Sequence, residues 1–267
     1  KLLKRFAPAD FLDHFQHFES KPFAAASIGQ IHRAVLKDGT KVVVKIIKAD
    51  FEASFRRDVR RMKRWIRMGL FFNPRLRKVG NPIGLLAHIE DYTLRELNLL
   101  NEIDGRNQLI AKSKAIEAHF PMPKLKFPKM WEELSNQQIL VMEEITHPTL
   151  EKHLENNTLT WPDMLELFRI HGAFMFGVGT FHGDLHPGNA MMDDEGNFHF
   201  IDTGAICNAP EHVRNALFGF FYFLAKGDLK NAFDAMLTMA AVRPEGKTLQ
   251  TYYDSMTELY DGFVGTS

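Results

Sequence analysis

The stretch from residue 181 to residue 204 carries acidic and amide side chains at a spacing that few folds use. It contains FHGDLHPGN, an acidic turn, and then FIDTG. Asp184 and Asn189 have four residues between them, and Asp202 begins an Asp-x-Gly triplet. Protein kinases place a catalytic Asp, a metal-binding Asn and a metal-binding Asp in this order. The pattern therefore predicts phosphoryl transfer rather than a plain loop of turn-forming residues.

The residue types agree with that chemistry. Phosphoryl transfer develops negative charge, which Mg²⁺ offsets through hard oxygen ligands. We expect Asn189 and Asp202 to bind Mg²⁺, and Asp184 to accept the proton of an attacking hydroxyl or water. Apolar residues on both sides of the turn at 193–197 predict a β-hairpin, with Asp202 just past its second strand.

The first part of the chain predicts a small sheet. Residues 31–36 and 41–47 are two strands joined by an Asp-Gly turn at 37–40. The second strand carries Lys45 where kinases hold the α- and β-phosphates. Small residues precede the first strand where kinases have a glycine-rich loop, and they lack the free positive φ of glycine. These residues are Ala24, Ala25, Ala26 and Ser27.

Helices are predicted around this sheet. Kinases need a helical glutamate to orient the strand lysine. Residues 89–112 predict a helix, and Glu96 is our choice for that role, with Glu90 and Glu102 as alternatives. The other predicted helices lie within residues 1–20, 50–69, 150–155, 161–178 and 209–264. Asp10 and Asp50 are the expected N-caps of the first two, and Gly69 is the expected stop of the second.

The predicted fold is α+β and two-lobed, like that of a protein kinase. A strand over residues 139–145 leads into a hinge whose backbone would hold adenine, which gives Glu143 and Ile145 as nucleotide contacts. This divides the chain into residues 1–145, a small β-rich N-lobe with added helices, and residues 146–267, a larger and mainly helical C-lobe.

Charge is divided unevenly along the chain. Residues 1–100 hold 20 Lys and Arg against 10 Asp and Glu, whereas residues 101–267 hold 13 against 23. The helix over 50–69 contains a strongly basic segment at 56–67, with apolar residues along one side. Such a helix suits an anionic membrane surface, and a solvated face over a lobe core is the equal alternative. Nucleic-acid binding is not expected.

Cysteine usage and hydropathy bear on location. Cys207 is the one cysteine, which indicates an intracellular, reducing compartment. No apolar run is long enough to span a membrane, so we expect peripheral association, at a bacterial cytoplasmic face or inside an organelle. The histidines at 32, 182 and 186 do not predict a transition-metal site.

Four segments together resemble the UbiB (ADCK/UbiB) family of atypical kinase-like proteins. They are KPFAAASIGQIHRA, DGTKVVVK, DYTLRELN and FHGDLHPGNAMMDDEGNFHFIDTG. The resemblance implies a kinase fold with an alanine-rich loop over ATP or ADP and ATPase-type activity. It also implies support of ubiquinone and other prenyl-quinone biosynthesis, or of lipid homeostasis, at membranes. Expected partners are a small-molecule or lipid substrate, such as a prenyl-quinone precursor, and quinone-biosynthesis proteins.

The resemblance also assigns residues by position. It implies Ala24 to Ile28 as the nucleotide loop, Lys45 and Glu96 as the ion pair, Asp184 as the base, and Asn189 with Asp202 as the Mg²⁺ ligands. The family's Lys-x-Gly-Gln motif does not occur before Lys21, so we expect it to lie upstream of residue 1 or to be missing from this member. Gly183 stands where kinases that phosphorylate proteins have Arg.

Two other functions fit the same motifs. Small-molecule phosphotransferases of the aminoglycoside or choline kinase type share the HGDLHPGN and Ile-Asp-x-Gly patterns, although the alanine-rich loop counts against them. A non-catalytic nucleotide-binding scaffold is the second, and the complete set of Lys45, Asp184, Asn189 and Asp202 counts against it.

Overall fold

The computed structural model describes residues 3–25, 29–47, 51–72, 81–240 and 242–264. The predicted loop residues Ala26, Ser27 and Ile28, and the predicted cap Asp50, lie outside these ranges. The chain divides into two compact units. The first comprises Lys1–Ile110, Met122–Met164 and His182–Ile206, and the second comprises Ala111–Pro121, Leu165–Phe181 and Cys207–Ser267. These limits differ from the predicted lobe boundary after residue 145, which stays a prediction.

The helices and strands follow each other as an N-terminal sheet and then mainly helices. The strands are β1 (Phe15–Phe18), β2 (Ala24–Ala25), β3 (Gly29–Leu36), β4 (Lys41–Ile47), β5 (Leu125–Lys126), β6 (Ile139–Glu143), β7 (Thr180–His182), β8 (Ala190–Met192), β9 (Phe198–Phe200) and β10 (Ile206–Asn208). The helices are α1 (Leu3–Phe6), α2 (Phe51–Phe72), α3 (Pro82–Glu96), α4 (Leu100–Ile116), α5 (Leu150–Glu155), α6 (Trp161–Gly172), α7 (Glu211–Ala225), α8 (Leu229–Leu237) and α9 (Gly246–Val264). A π-helical turn, Ala173–Val178, continues α6.

The first unit is built on an antiparallel sheet in the order β1-β3-β4-β6, with β2 paired to β3. The predicted hairpin of β3 and β4 is confirmed, and its turn uses Gly39 at φ +86°. Gly29 is required at the start of β3, because an added Cβ would lie 2.6 Å from the carbonyl oxygen of Ile46.

Both faces of β4 are covered, and this fixes where Lys45 points. Alternate residues of a strand face opposite sides of the sheet. Val42, Val44 and Ile46 pack into the buried cluster that includes Trp131. Val43 and Ile47 pack into a second buried cluster, which contains Ile103 of α4. Lys45 shares the side of Val43 and Ile47, so its side chain extends toward α4.

The N-terminal helix predicted within residues 1–20 is wrong. Only the short α1 is helical there, and Phe11–His14 form a single 3₁₀ turn that leads directly into β1. The aromatic spacing that indicated a helix instead places Phe11 and Phe15 in one buried cluster, because Phe15 pairs with Leu36 across the sheet edge.

The hairpin that follows the motif at residues 181–189 is confirmed. Strands β8 and β9 are antiparallel, and β5 pairs with β9 in parallel to complete a three-stranded sheet. The turn uses Gly196 at φ +75°, and Asp202 follows two residues after β9. The predicted order of strand, turn, strand and Asp202 is therefore present.

The helices α7, α8 and α9 of the second unit pack through aromatic side chains. Phe220, Ala232 and Phe233 are buried in one cluster. Phe218 and Phe221 lie on α7 as well, and the apolar spacing of this helix would place them in the core, but they are 54% and 52% exposed. Among the described residues, no helix combines the length and apolar character that crossing a bilayer requires.

Candidate nucleotide-binding and catalytic site

The ammonium of Lys45 lies between two carboxylates of the first unit. Its Nζ donates to Oε2 of Glu102 at 2.8 Å and to Oδ2 of Asp202 at 3.4 Å. The side chains of Lys45 and Glu102 are 13% and 8% exposed, whereas that of Asp202 is 36% exposed. Two neighbouring strands hold the lysine, since it pairs with Ile31 on β3 and Leu140 on β6.

The predicted ion pair between Lys45 and Glu96 is wrong, because Glu102 takes that place. The helix predicted over residues 89–112 is two helices, and the chain turns between them. Glu96 is the last residue of α3, while Glu102 lies in the first turn of α4. Asn98 marks the break, since its Oδ1 accepts from the backbone N–H of Leu100. An Asn just before an apolar run is a helix-start signal that could have revealed the second helix.

Glu96 nevertheless lies close to the cluster formed by Lys45, Glu102 and Asp202, which we call the Lys45 cluster. A Cβ placed on Gly204 would be 3.8 Å from Oε1 of Glu96 and 3.4 Å from Cγ of Glu102. Burial raises the pKa of Glu96, and the negative charges of Asp202 and Asp184 raise it further. Glu96 is thus a carboxylate surrounded by other carboxylates.

The charges of the cluster shift one another's pKa. Burial disfavours the charged form of Lys45, but Glu102 and Asp202 outweigh that cost and raise its pKa. The same ammonium lowers the pKa of Asp202. Burial dominates at Glu102 and raises its pKa to about 7 despite the lysine. Glu96, Glu102 and Asp202 are therefore all coupled to one ammonium, and this excess of acidic groups fits a bound cation.

The loop that carries Asp184 and Asn189 is tied to itself and to the end of β9. The side-chain amide nitrogen of Asn189 donates to the backbone carbonyl of Asp184 at 2.9 Å. The backbone N–H of Ile201 donates to the carbonyl of Asn189 at 3.1 Å. Asp184 itself is exposed. The amide nitrogen of Asn189 is thereby occupied, which leaves its side-chain oxygen as the atom that could bind a metal ion.

His182 is a positioning residue that sequence reasoning missed. It is buried, its Nδ1 accepts from the backbone N–H of Asp184 at 3.1 Å, and its Nε2 hydrogen-bonds the backbone carbonyl of Asp202. Burial lowers the pKa of His182, which agrees with a neutral ring that accepts at one nitrogen and donates at the other. One imidazole thus joins the segment of the predicted base to the segment of the predicted metal ligand.

A second link joins α4 to the Asp-Thr-Gly segment. The buried hydroxyl of Thr203 donates to the backbone carbonyl of Glu102 at 2.6 Å. Gly105 allows this approach, because an added Cβ would lie 1.9 Å from the carbonyl oxygen of Thr203. The backbone contact fixes the distance between Glu102 and Asp202, the two carboxylates that hold Lys45.

The predicted nucleotide contacts are described only in part. Ala24 and Ala25 form β2 and pair with Ile31 and Gln30. The backbone N–H of Glu143 donates to the carbonyl of Lys129 at 2.8 Å, and its carboxylate accepts from the backbone N–H of the same residue at 3.0 Å. The backbone N–H and the carboxylate of Glu143 are therefore engaged, and the adenine contacts of Glu143 and Ile145 stay predictions.

Three features are typical of protein kinases. They are an N-terminal antiparallel sheet, a strand lysine paired with a helical glutamate, and an Asp–Asn–Asp set on the following loops. A family model, described as the ABC1 atypical kinase-like domain, matches residues 1–236. The chain belongs to this ABC1/UbiB family of atypical kinase-like proteins, as the sequence motifs predicted.

Individual relatives are distant. An uncharacterized protein of Synechocystis sp. is 28% identical over 97% of this chain. A protein of Sodalis glossinidius named probable protein kinase UbiB is 32% identical over 68% of it. The chain covers 65% and 32% of those two proteins.

A solved structure supports the fold. Rv3197 of Mycobacterium tuberculosis, in complex with erythromycin, has a TM-score of 0.66 and 21% identity, over 95% of this chain and 64% of that one. At this identity the likeness concerns the fold alone.

Proposed function

We propose that this chain is an ATP-binding, Mg²⁺-dependent kinase-like enzyme of the UbiB type, with ATPase or phosphotransferase activity. The observation that carries the proposal is the placement of the Lys45 ammonium within hydrogen-bonding distance of both Glu102 and Asp202. A strand lysine held by a helical glutamate beside a metal-binding aspartate is the arrangement that kinases need for catalysis.

Each side chain takes a defined task in this proposal. Lys45 binds the α- and β-phosphates, and Glu102 orients it. Asn189 and Asp202 supply oxygen ligands for Mg²⁺, which would offset the charge that develops on the transferred phosphoryl group. Asp184 is exposed, so it can reach the hydroxyl or water whose proton it accepts.

The fit of the residues to Mg²⁺ rests on their charge and donor type. Carboxylate and amide oxygens are the ligands that a hard divalent cation prefers. Burial raises the pKa of Glu96, and the negative charges of Asp202 and Asp184 raise it further, so acidic groups are concentrated beside Asp202. A divalent cation near Asp202 would reduce that repulsion.

The test compares Asp202→Asn with Asp104→Asn. Asp104 is an exposed acid of α4, so its loss controls for the removal of one negative charge. We expect Asp202→Asn to lower Mg²⁺-dependent ATP turnover by at least about a hundredfold, because several kcal/mol of charge stabilisation depend on the metal. Asp104→Asn should keep wild-type turnover. Equal nucleotide binding and turnover in both variants would contradict the metal assignment.

We further propose that the protein acts at a membrane in prenyl-quinone biosynthesis or lipid homeostasis, as the UbiB resemblance suggests. A small-molecule or lipid substrate, such as a prenyl-quinone precursor, and quinone-biosynthesis proteins are the partners we propose. ATP consumption should then rise with such lipids. Stimulation by aminoglycosides or choline instead would favour the small-molecule phosphotransferase.

The surface of α2 supports the membrane proposal. Trp65, Phe71 and Phe72 are 67%, 75% and 77% exposed. Six exposed arginines lie on the same helix, at positions 56, 57, 60, 61, 64 and 67. Exposed aromatic side chains beside basic ones fit the interface of a bilayer that contains anionic lipid. The apolar side of α2 is only partly inward, since Val59 is buried but Met62 is 49% exposed.

A vesicle sedimentation assay tests this surface. Each unit of charge near an anionic membrane contributes about 1 kcal/mol. Arg64→Glu changes the charge by two units, so it should cost about 2 kcal/mol and weaken binding to vesicles with phosphatidylglycerol by roughly thirtyfold. Lys112→Glu reverses an exposed charge on α4 and should bind like wild type. Unchanged binding of Arg64→Glu, or equal binding to purely zwitterionic vesicles, would contradict the role of α2.

A further inference from the structure

Three side chains of the first unit that could bind a metal ion meet at one place, and none of them belongs to the Lys45 cluster. They are His147, Asp193 and His199, and their ligand atoms all lie within 4.8 Å of one another. Nε2 of His199 is 3.2 Å from Oδ2 of Asp193. Two ligand atoms at ordinary bond lengths of about 2.0–2.2 Å around a tetrahedral ion lie roughly 3.3 Å apart, so this pair already has the required separation.

The third side chain completes the set. The rings of His147 and His199 have centroids 5.3 Å apart and are inclined by 34°. A hydrogen bond between His199 and Asp193 accounts for two of the side chains, but it does not account for a second imidazole at the same place. None of the three side chains is buried, so an ion from solvent can reach them.

Backbone hydrogen bonds hold the three ligands in register. His199 lies on β9 opposite Met191 of β8, and Asp193 directly follows β8. The backbone N–H of Met192 donates to the carbonyl of Pro148 at 3.1 Å, which fixes the residue next to His147. Three segments that are already bonded to one another supply the ligands, so ion binding would require little additional ordering.

The carboxylate of Asp193 is also held in place. Its Oδ1 accepts from the backbone N–H groups of Glu195 and Asn197 at 3.0 and 2.8 Å. Its Oδ2 accepts from the side-chain amide of Asn197 at 2.9 Å, beside the contact with His199. Hydrogen bonds of this kind orient metal-ligating carboxylates and strengthen metal binding.

We propose that His147, Asp193 and His199 bind one divalent transition-metal ion of the Zn²⁺ class. Two imidazoles and one carboxylate suit Zn²⁺ better than Mg²⁺, which prefers oxygen ligands and retains water. The ion joins the segment after β6 to the β8–β9 hairpin. The site shares no residue with the Lys45 cluster, so the inference is independent of the proposed nucleotide chemistry.

The experiment uses Co²⁺ as a spectroscopic probe on the untagged chain without nucleotide. We expect one Co²⁺ per chain with the visible absorption of a tetrahedral N/O site, displaced by Zn²⁺. His147→Ala should weaken Co²⁺ binding by about tenfold or more. Removal of an outer-sphere partner already lowers metal affinity by about tenfold, and removal of one of three protein ligands should lower it further. His147 is not buried, so this variant should remain folded.

His119→Ala is the matched control, since it removes an exposed imidazole elsewhere on the chain. Wild-type Co²⁺ affinity in His119→Ala together with reduced affinity in His147→Ala supports the site. No tetrahedral absorption in wild type, unchanged affinity in His147→Ala, or equal loss in both variants overturns it. Zn²⁺ should also raise the melting temperature of wild type but not of His147→Ala, and far-ultraviolet circular dichroism checks the fold of each variant.

Discussion

Gly105→Ala is expected to separate the two segments that hold Lys45. The new Cβ would lie 1.9 Å from the carbonyl oxygen of Thr203 and 2.8 Å from Cγ1 of Ile206. A carbon and a carbonyl oxygen come no closer than about 3.3 Å. Helix α4 and the Asp-Thr-Gly segment must therefore move apart by roughly 1.4 Å. The hydrogen bond from Thr203 to Glu102, now 2.6 Å, would then be lost.

The expected change in the free energy of unfolding combines two destabilising contributions and one stabilising contribution. Over-packing costs about 1–3 kcal/mol, and the lost hydrogen bond costs about 1 kcal/mol. The higher helix propensity of alanine returns about 1 kcal/mol. We expect Gly105→Ala to lower the free energy of unfolding by about 2 kcal/mol. Nucleotide affinity should also fall, because Glu102 and Asp202 no longer meet at Lys45.

The control is Gly69→Ala. Gly69 lies in α2 and is exposed, and an added Cβ there meets nothing within 4 Å. The chemical change is identical, so only helix propensity should act, and it should stabilise the protein by up to about 1 kcal/mol. Urea unfolding followed by circular dichroism measures both variants. If Gly105→Ala were as stable as Gly69→Ala, the close approach of α4 to Thr203 would be refuted.

Two further predictions concern charged side chains. Glu102→Gln should weaken Mg²⁺-ATP binding by about tenfold or more, because Lys45 loses its shorter charged contact. Calorimetric titration measures this affinity. The control is Glu90→Gln, which should show no such loss because the Glu90 carboxylate pairs with Lys63 instead. Asp234→Asn should cost about 1 kcal/mol at neutral pH, since a hydrogen bond from Tyr253 and then nearby cations lower the pKa of Asp234. A carboxyl group with a lowered folded-state pKa stabilises the folded protein above its ordinary pKa of 3.8, and this stabilisation is lost as the pH falls through the folded-state pKa. Urea unfolding should therefore show the stabilities of the variant and the wild type converging in acid. A difference that stays constant with pH would refute this prediction.

The residues that sequence predicted best are those whose role depends on spacing within one segment. Asp184, Asn189 and Asp202 lie on short loops beside the β8–β9 hairpin, and local turn chemistry determines that hairpin. Lys45 was identified by its position on the apolar strand of residues 41–47. In each case a pattern of a few neighbouring residues contains the information, and no distant contact is needed to interpret it.

The residues that sequence predicted poorly depend on tertiary contacts. The sequence predicts a single helix over residues 89–112, with Glu96 rather than Glu102 as the glutamate that orients Lys45. The chain instead turns at Asn98, with Leu97 and Leu99 both buried, so packing against the sheet decides which glutamate reaches Lys45. Gly69 was expected to end α2, yet the helix continues to Phe72, because glycine lowers helix propensity without forbidding the conformation.

His182 shows why the second layer of the site could not be read from the sequence. The sequence excludes a transition-metal site at this histidine but does not identify its partners, which are the backbones of Asp184 and Asp202. These two residues lie 18 positions apart along the chain, and only the fold brings their backbones to one imidazole. The site therefore has two levels. The first level consists of the charged side chains, which the motifs identify. The second level consists of buried groups such as His182 and Thr203, which determine whether those charges meet. Substitutions at the second level should therefore alter nucleotide affinity, although they remove no group that would contact the nucleotide.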